Sequence, residues 1–188
     1  SCPDMQGWQS PPMPPPPHPE IAHALTLVLT DGGEAGLAIL ARRAAQRDPH
    51  ALFALADLHW RGGAVPRDYP RGRELFGQAA EAGHPIAARA WTNLLASGHA
   101  GLRDWPRAIA RLREEARDDA RRALILSLLG RMDLTPDGDP AQAPQGRRVI
   151  DSPEVFAFPR LFSPAECDFL MAVAEPIYEA SLVADPDA

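Results

Sequence analysis

Six histidines, two cysteines and no lysine set the chemistry this chain could carry. The histidines stand at positions 18, 23, 50, 59, 84 and 99 and the cysteines at 2 and 167, so no cluster has metal-ligand spacing and no disulfide framework or Cys-based zinc site can be read. Without lysine there is no Walker-type phosphate lysine, no Schiff-base lysine and no lysine general base. His84 follows Gly83 at a helix junction and reads as a packing or capping residue, and His59 and His99 have no spaced companion. Cys167, with no neighbouring histidine, reads as a small buried hydrophobe rather than a nucleophile. No catalytic residue and no metal ligand is assigned. The chemistry left is recognition: His50, Phe53, Asp57 and Trp60, with Arg89 and Asn93, bring aromatic rings beside charged and amide groups, the composition of a peptide-binding hot spot.

The elements that must position those residues repeat. Arg67-Asp68-Tyr69-Pro70-Arg71 returns as Arg103-Asp104-Trp105-Pro106-Arg107, an offset of 36 residues that belongs to helical-hairpin solenoids. The same offset pairs Ala51, Ala54, Leu55 and Leu58 with Ala87, Ala90, Trp91 and Leu94, and Gly62 with Gly98. Helices are expected over about 49–61 and 69–82, then 85–97 and 105–117, preceded by a first hairpin that breaks at Asp31-Gly32-Gly33 and followed by a closing helix over about 119–132. Gly62 and Gly98 sit where a helix ends with positive φ, Asp68 and Asp104 where a carboxylate caps the next one, and Pro70 and Pro106 in its first turn. Inward positions are Ile21, Leu25, Val28, Leu29, Leu37, Leu40, Ala41 and Ala44 in the first hairpin, and Ala123, Leu126, Ser127 and Gly130 in the closing helix. Leu40, Phe76 and Leu112, with Ala44, Ala80 and Ala116, form ladders along the second helices. With the first helices so oriented, His50, Phe53, Asp57 and Trp60 fall on the neighbouring face, continued by Ile86, Arg89, Asn93 and Ala96. Tyr69 and Trp105 are equivalent and read as repeat core; Trp60 answers to Ala96, so the repeat does not require it.

Composition narrows the function classes. The chain has 188 residues, 45% of them hydrophobic, enough for a core. A net charge of −6 argues against nucleic acid or an anionic membrane surface as the main partner, and no apolar run is long enough to span a bilayer. Isolated cysteines fit a reducing, cytoplasmic compartment; the chain begins at Ser1, which leaves a removed signal segment open. Pro11 to Pro19 read as a polyproline II lead-in, a stiff spacer or packed arm, with a ligand for a proline-reading domain as the alternative. Arg103, Arg107, Arg111, Arg113, Arg117 and Arg121 are interleaved with Glu114, Glu115, Asp118 and Asp119, a solvated, self-paired face rather than an anion-binding stripe.

The turn pattern G-x-x-x-x-x-D-[YW]-P and the junction Ala79-Ala80-Glu81-Ala82-Gly83-His84 resemble the Sel-one-like repeat (SLR) branch of the tetratricopeptide superfamily over about Ala35 to Asp119. That resemblance implies an all-α, right-handed helical-hairpin solenoid used as an adaptor surface for a protein or peptide. After a turn-rich linker, Glu154 to Leu170 and on to Ser181-Leu182-Val183 resemble the opening of a prolyl 4-hydroxylase-like oxygenase domain, with a short strand at Val155 to Phe158 and a helix opened by the capping box Ser163-Pro164-Ala165-Glu166. Such a domain implies Fe(II), 2-oxoglutarate and ascorbate for the parent protein, with iron held by an H-x-D pair and a later His. Here no His follows the linker, and the one His-x-acid triplet, His18-Pro19-Glu20, lies in the proline-rich arm. The expected organisation is an arm (1–19), a solenoid (20–134), a linker (135–148) and a truncated oxygenase opening (149–188), whose strand is disordered, docked on the solenoid or paired with another chain. No cofactor is expected in this chain, and the alternative is a stand-alone SLR adaptor whose last segment only caps the solenoid.

Overall fold

The computed structural model describes residues 16–30 and 33–178; most of the proline-rich arm, Asp31-Gly32 and Ser181-Leu182-Val183 lie outside them. The sequence punctuation becomes helix boundaries. α1 (Pro19–Val28), α2 (Gly33–Ala45), α3 (Pro49–Arg61), α4 (Tyr69–Glu81), α5 (Pro85–Ser97), α6 (Trp105–Glu115) and α7 (Ala120–Leu129) follow one another as a helical-hairpin solenoid, each packing on the next. Asp48, Asp68, Asp104 and Asp119 each accept a hydrogen bond from free amides at the start of the following helix, meeting donors that have no partner inside the helix. Gly62 (φ 77°) and Gly98 (φ 70°) end α3 and α5 in a conformation that a Cβ disfavours. The turns after them share one bond in the 36-residue register: the Asp68 amide donates to the His59 carbonyl and the Asp104 amide to the Leu95 carbonyl, both 2.9 Å.

The core lies between the two rows of helices. Leu40, Phe76 and Leu112 are 0%, 7% and 4% exposed, as the ladder predicts, while Ala44, Ala80 and Ala116 are half-buried beside them. Two expectations at the ends are corrected. In the first hairpin Leu29 is 81% exposed and Ala41 is exposed, whereas Ala24 is fully buried: α1 stops at Val28, so Leu29 no longer follows the helical face. In α7 the buried positions are Arg122 and Leu128, while Ala123, Ser127 and Gly130 are exposed and Leu126 half-buried. Asp119 caps α7 where strict register would put position 120, and the one-residue offset turns the helix onto a different face.

Beyond the solenoid, β1 (Arg147–Ile150) pairs antiparallel with β2 (Val155–Ala157), Arg148 opposite Phe156. The expected strand therefore finds its partner within the chain, and β1 straddles the expected 148/149 boundary. α8 (Pro164–Ala174) follows, opened by a complete capping box in which the Glu166 amide donates to Ser163 Oγ and the Ser163 amide donates to Glu166 Oε2, 2.9 Å. The Ser163 side chain, and then its backbone amide, lower the pKa of the Glu166 carboxyl from the ordinary value. Cys167 is exposed, contrary to the buried reading, because little packs over this helix.

Candidate partner-binding surface

The residues of the expected stripe divide between packing against neighbouring helices and facing outward. Phe53 stacks on the His84 ring at 4.2 Å between centroids and meets Phe76 edge-on at 5.9 Å, while His50 contacts His84 edge-on at 5.0 Å. His84 is the N-cap of α5: its Nδ1 accepts from the Ala87 amide at 3.2 Å, which places the ring hydrogen of the neutral form on Nε2. Burial, with His50 alongside, pushes its pKa down to about 4, so it is a neutral cap, in keeping with its capping assignment. Trp60 lies among Tyr69, Phe76 and His99 at 5.1, 5.7 and 5.2 Å; Tyr69, expected as core, is 37% exposed at the rim of this cluster.

Arg89 and Asn93 hold the corresponding positions on α5. Arg89 pairs with Asp119, the N-cap of α7, at 3.1 Å, and Asn93 Oδ1 accepts from Arg122 at 3.1 Å. Phe53 and Arg89, 36 residues apart, each reach the cap of the next first helix, one by stacking and one by charge. The stripe thus joins consecutive units, and part of it faces outward: Ile86 is 43% exposed, the side chains of Asp57 and Arg89 are 37% and 32% exposed, and Asn93 is exposed.

Two buried arginines were not foreseen. Arg73, 8% exposed, donates from Nη1 to the Leu94 and His99 carbonyls, both 2.7 Å, and from Nη2 to the Leu102 carbonyl, 2.6 Å, tying α4 to the turn between α5 and α6. Its guanidinium also covers Trp91 at 5.2 Å. The signal was available, since Leu37 and Ile109 occupy its place in the neighbouring units and a charge breaks an apolar column. Arg122, 7% exposed, contacts Glu115 Oε2 at 3.0 Å and donates to the Arg89 carbonyl at 3.2 Å. Burial lowers the pKa of both arginines from the ordinary value. The arginines in and around α6 find partners mainly on other elements: Arg107 with Glu81, Arg103 with Asp139, Arg111 with Thr92, although Arg117, just past the helix, does pair with Glu114.

The start of the linker is folded. Leu134 and Pro140 form a β-bridge, the Thr135 amide donates to the Asp139 carbonyl at 2.7 Å, and Gly138 lies so close that an added Cβ would fall 2.2 Å from the Trp105 ring. A cleft of about 360 Å³ between α7 and α8 is lined by Arg131, Met132, Ser163 and Glu166 among others, of which Ser163 and Glu166 serve the capping box. Among the described residues no three His, Cys, Asp or Glu side chains converge as a metal site, so these residues do not fit an iron centre of the facial-triad type. No helix among them is long and apolar enough to cross a membrane.

No family model and no curated protein matches the chain. Solved structures similar to it include a Sel1 repeat protein from Oxalobacter formigenes, with 24% identity and a TM-score of 0.48 over 60% of this chain and 49% of that one. Another is c5321, a protective antigen of uropathogenic Escherichia coli strains displaying an SLR fold, with 24% identity and a TM-score of 0.49 over 60% of this chain and 25% of that one. The chain spans half or less of the length of either. Both overlays are partial, and the solenoid assignment rests on this chain's own helix pairs and caps.

Proposed function

We propose that the solenoid is a peptide- or protein-binding module of the SLR type, with its partner lying across the first-helix face. The observation that carries this reading is the outward edge of the stripe, where Ile86, Asp57, Arg89 and Asn93 stay accessible on a scaffold locked from behind by the rings of His50, Phe53 and Trp60. Partner capture by the wild-type chain, with loss of affinity in an Asp57→Ala/Asn93→Ala variant and none in Glu74→Ala on the exposed face of α4, is the expected result. Arg73 cannot serve as a surface control because it is buried. Equal affinity across all three proteins would move the partner elsewhere.

The segment from β1 onward we read as the opening of a prolyl 4-hydroxylase-like domain, so that the solenoid delivers a partner to an oxygenase. Supporting this are the capping box at Ser163 and the apolar side chains that hairpin and α8 leave uncovered: Val149, Phe156, Phe158, Leu161, Phe162 and Leu170 are each about half-exposed, as for part of a larger core. Fe(II) and 2-oxoglutarate would be held by sequence outside these 188 residues. The chain incubated with Fe(II), ascorbate, 2-oxoglutarate and a proline-rich peptide is expected to form no succinate above background; turnover would overturn this assignment. The loop docked on Trp105 favours the stand-alone adaptor as the second reading, with the last segment closing the solenoid.

A further inference from the structure

Trp60 marks what the space between a first and a second helix of this solenoid can hold. Its indole meets Tyr69 and Phe76 edge-on at 5.1 and 5.7 Å, and it lies over Gly72, where an added Cβ would stand 3.2 Å from the ring. One repeat later Tyr69 becomes Trp105, Gly72 becomes Ala108 and Phe76 becomes Leu112, while Trp60 becomes Ala96. The walls return without the ring. In its place is a cleft of about 110 Å³ bounded by Ala96, Trp105, Ala108 and Leu112, and by Ile125 and Leu129 of α7.

We infer that this cleft between α5, α6 and α7 receives one aromatic side chain of a protein partner; the inference rests on the reading of the solenoid as a peptide-binding module. Enclosed cavities of roughly 150 Å³ hold benzene. This one is smaller and opens to solvent, so it seats a ring edge-first. The charge beside it selects the same occupant. Arg122 lines the cleft, but its positive charge is already answered by Glu115 and Asp119, and the Thr92 hydroxyl there is bonded to Glu115 and Arg111. An anionic ligand therefore meets no uncompensated cation. The electron-rich face of an aromatic ring is complementary to a guanidinium without needing its hydrogen bonds, and this chain pairs the two groups elsewhere: Arg73 over Trp91 at 5.2 Å, Arg103 over Trp105 at 5.4 Å and Arg67 over Tyr69 at 5.7 Å.

N-acetyl-tryptophanamide titrated into the methyl-labelled chain is expected to shift the NMR signals of Ile109, Leu112, Ile125 and Leu129, with N-acetyl-leucinamide about tenfold weaker. Ala96→Trp, which restores the ring from within, is expected to raise the melting temperature by several degrees and abolish those shifts. If Ala96→Trp does not fold, the reciprocal variant decides: Trp60→Ala opens the same space one unit earlier, and free indole should recover part of the melting temperature lost. Probe shifts confined to other residues, or a Trp60→Ala protein indifferent to indole, overturn the inference. A peptide partner that binds wild type and Ala96→Trp equally leaves the module reading intact and removes the pocket. Probe binding in the cleft, with no peptide bound by the chain, supports the pocket and removes the module reading.

Discussion

His84 is a side chain whose role depends on its protonation state. Folding keeps it neutral because Nδ1 must accept the Ala87 amide in a site 2% open to solvent. Its pKa falls from 6.5 to about 4, so between these values the unfolded chain binds the extra proton and the folded chain does not. Its contribution to stability is complete above about pH 6.5 and is lost as pH falls toward 4. Urea midpoints at pH 7 and pH 5 should therefore differ more for wild type than for His84→Asn, which caps without titrating; equal differences would remove His84 from the pH response. Arg73 acts at the same scale. Arg73→Met would leave the His99 and Leu102 carbonyls without the guanidinium donor and the Leu94 carbonyl with the Gly98 amide alone, an expected cost of about 3 kcal/mol by chemical denaturation.

At the scale of elements, the second helices carry the ladder and the turns carry the register. Phe76→Ala removes the middle rung, 7% exposed, and is expected to cost about 3 kcal/mol. A loss of under about 0.5 kcal/mol, typical of surface sites, would mean that the ladder is not the core. The loop after α7 is a separate test of packing. Gly138→Ala places a methyl inside the Trp105 ring contact, so the Trp105 indole NMR signal should move while far-UV circular dichroism keeps its helical form. An unmoved signal would mean that the loop does not cover Trp105.

For the whole molecule, legibility in the sequence followed the distance over which each interaction acts. The repeat offset, the aspartate caps, the positive-φ glycines and the Ser163 capping box are local: each needs only a few neighbouring residues to satisfy amides or to permit a backbone turn, so α3 to α6 and α8 fall where the spacing puts them. The candidate face was legible as a stripe and not as an interface. Only packing decided that Phe53 and Arg89 each join one first helix to the cap of the next, and that Arg73 and Arg122 are buried, because most of their partners stand 21 to 33 residues away. Tertiary structure also decided the pairing of β1 with β2 and the exposure of Cys167 and Leu29. Burial is a property of what lies on top of a residue, and neither composition nor period specifies that. The sequence by itself determined a helical-hairpin repeat and its register; the third dimension decided which side chains the repeats bury against one another and which they leave exposed.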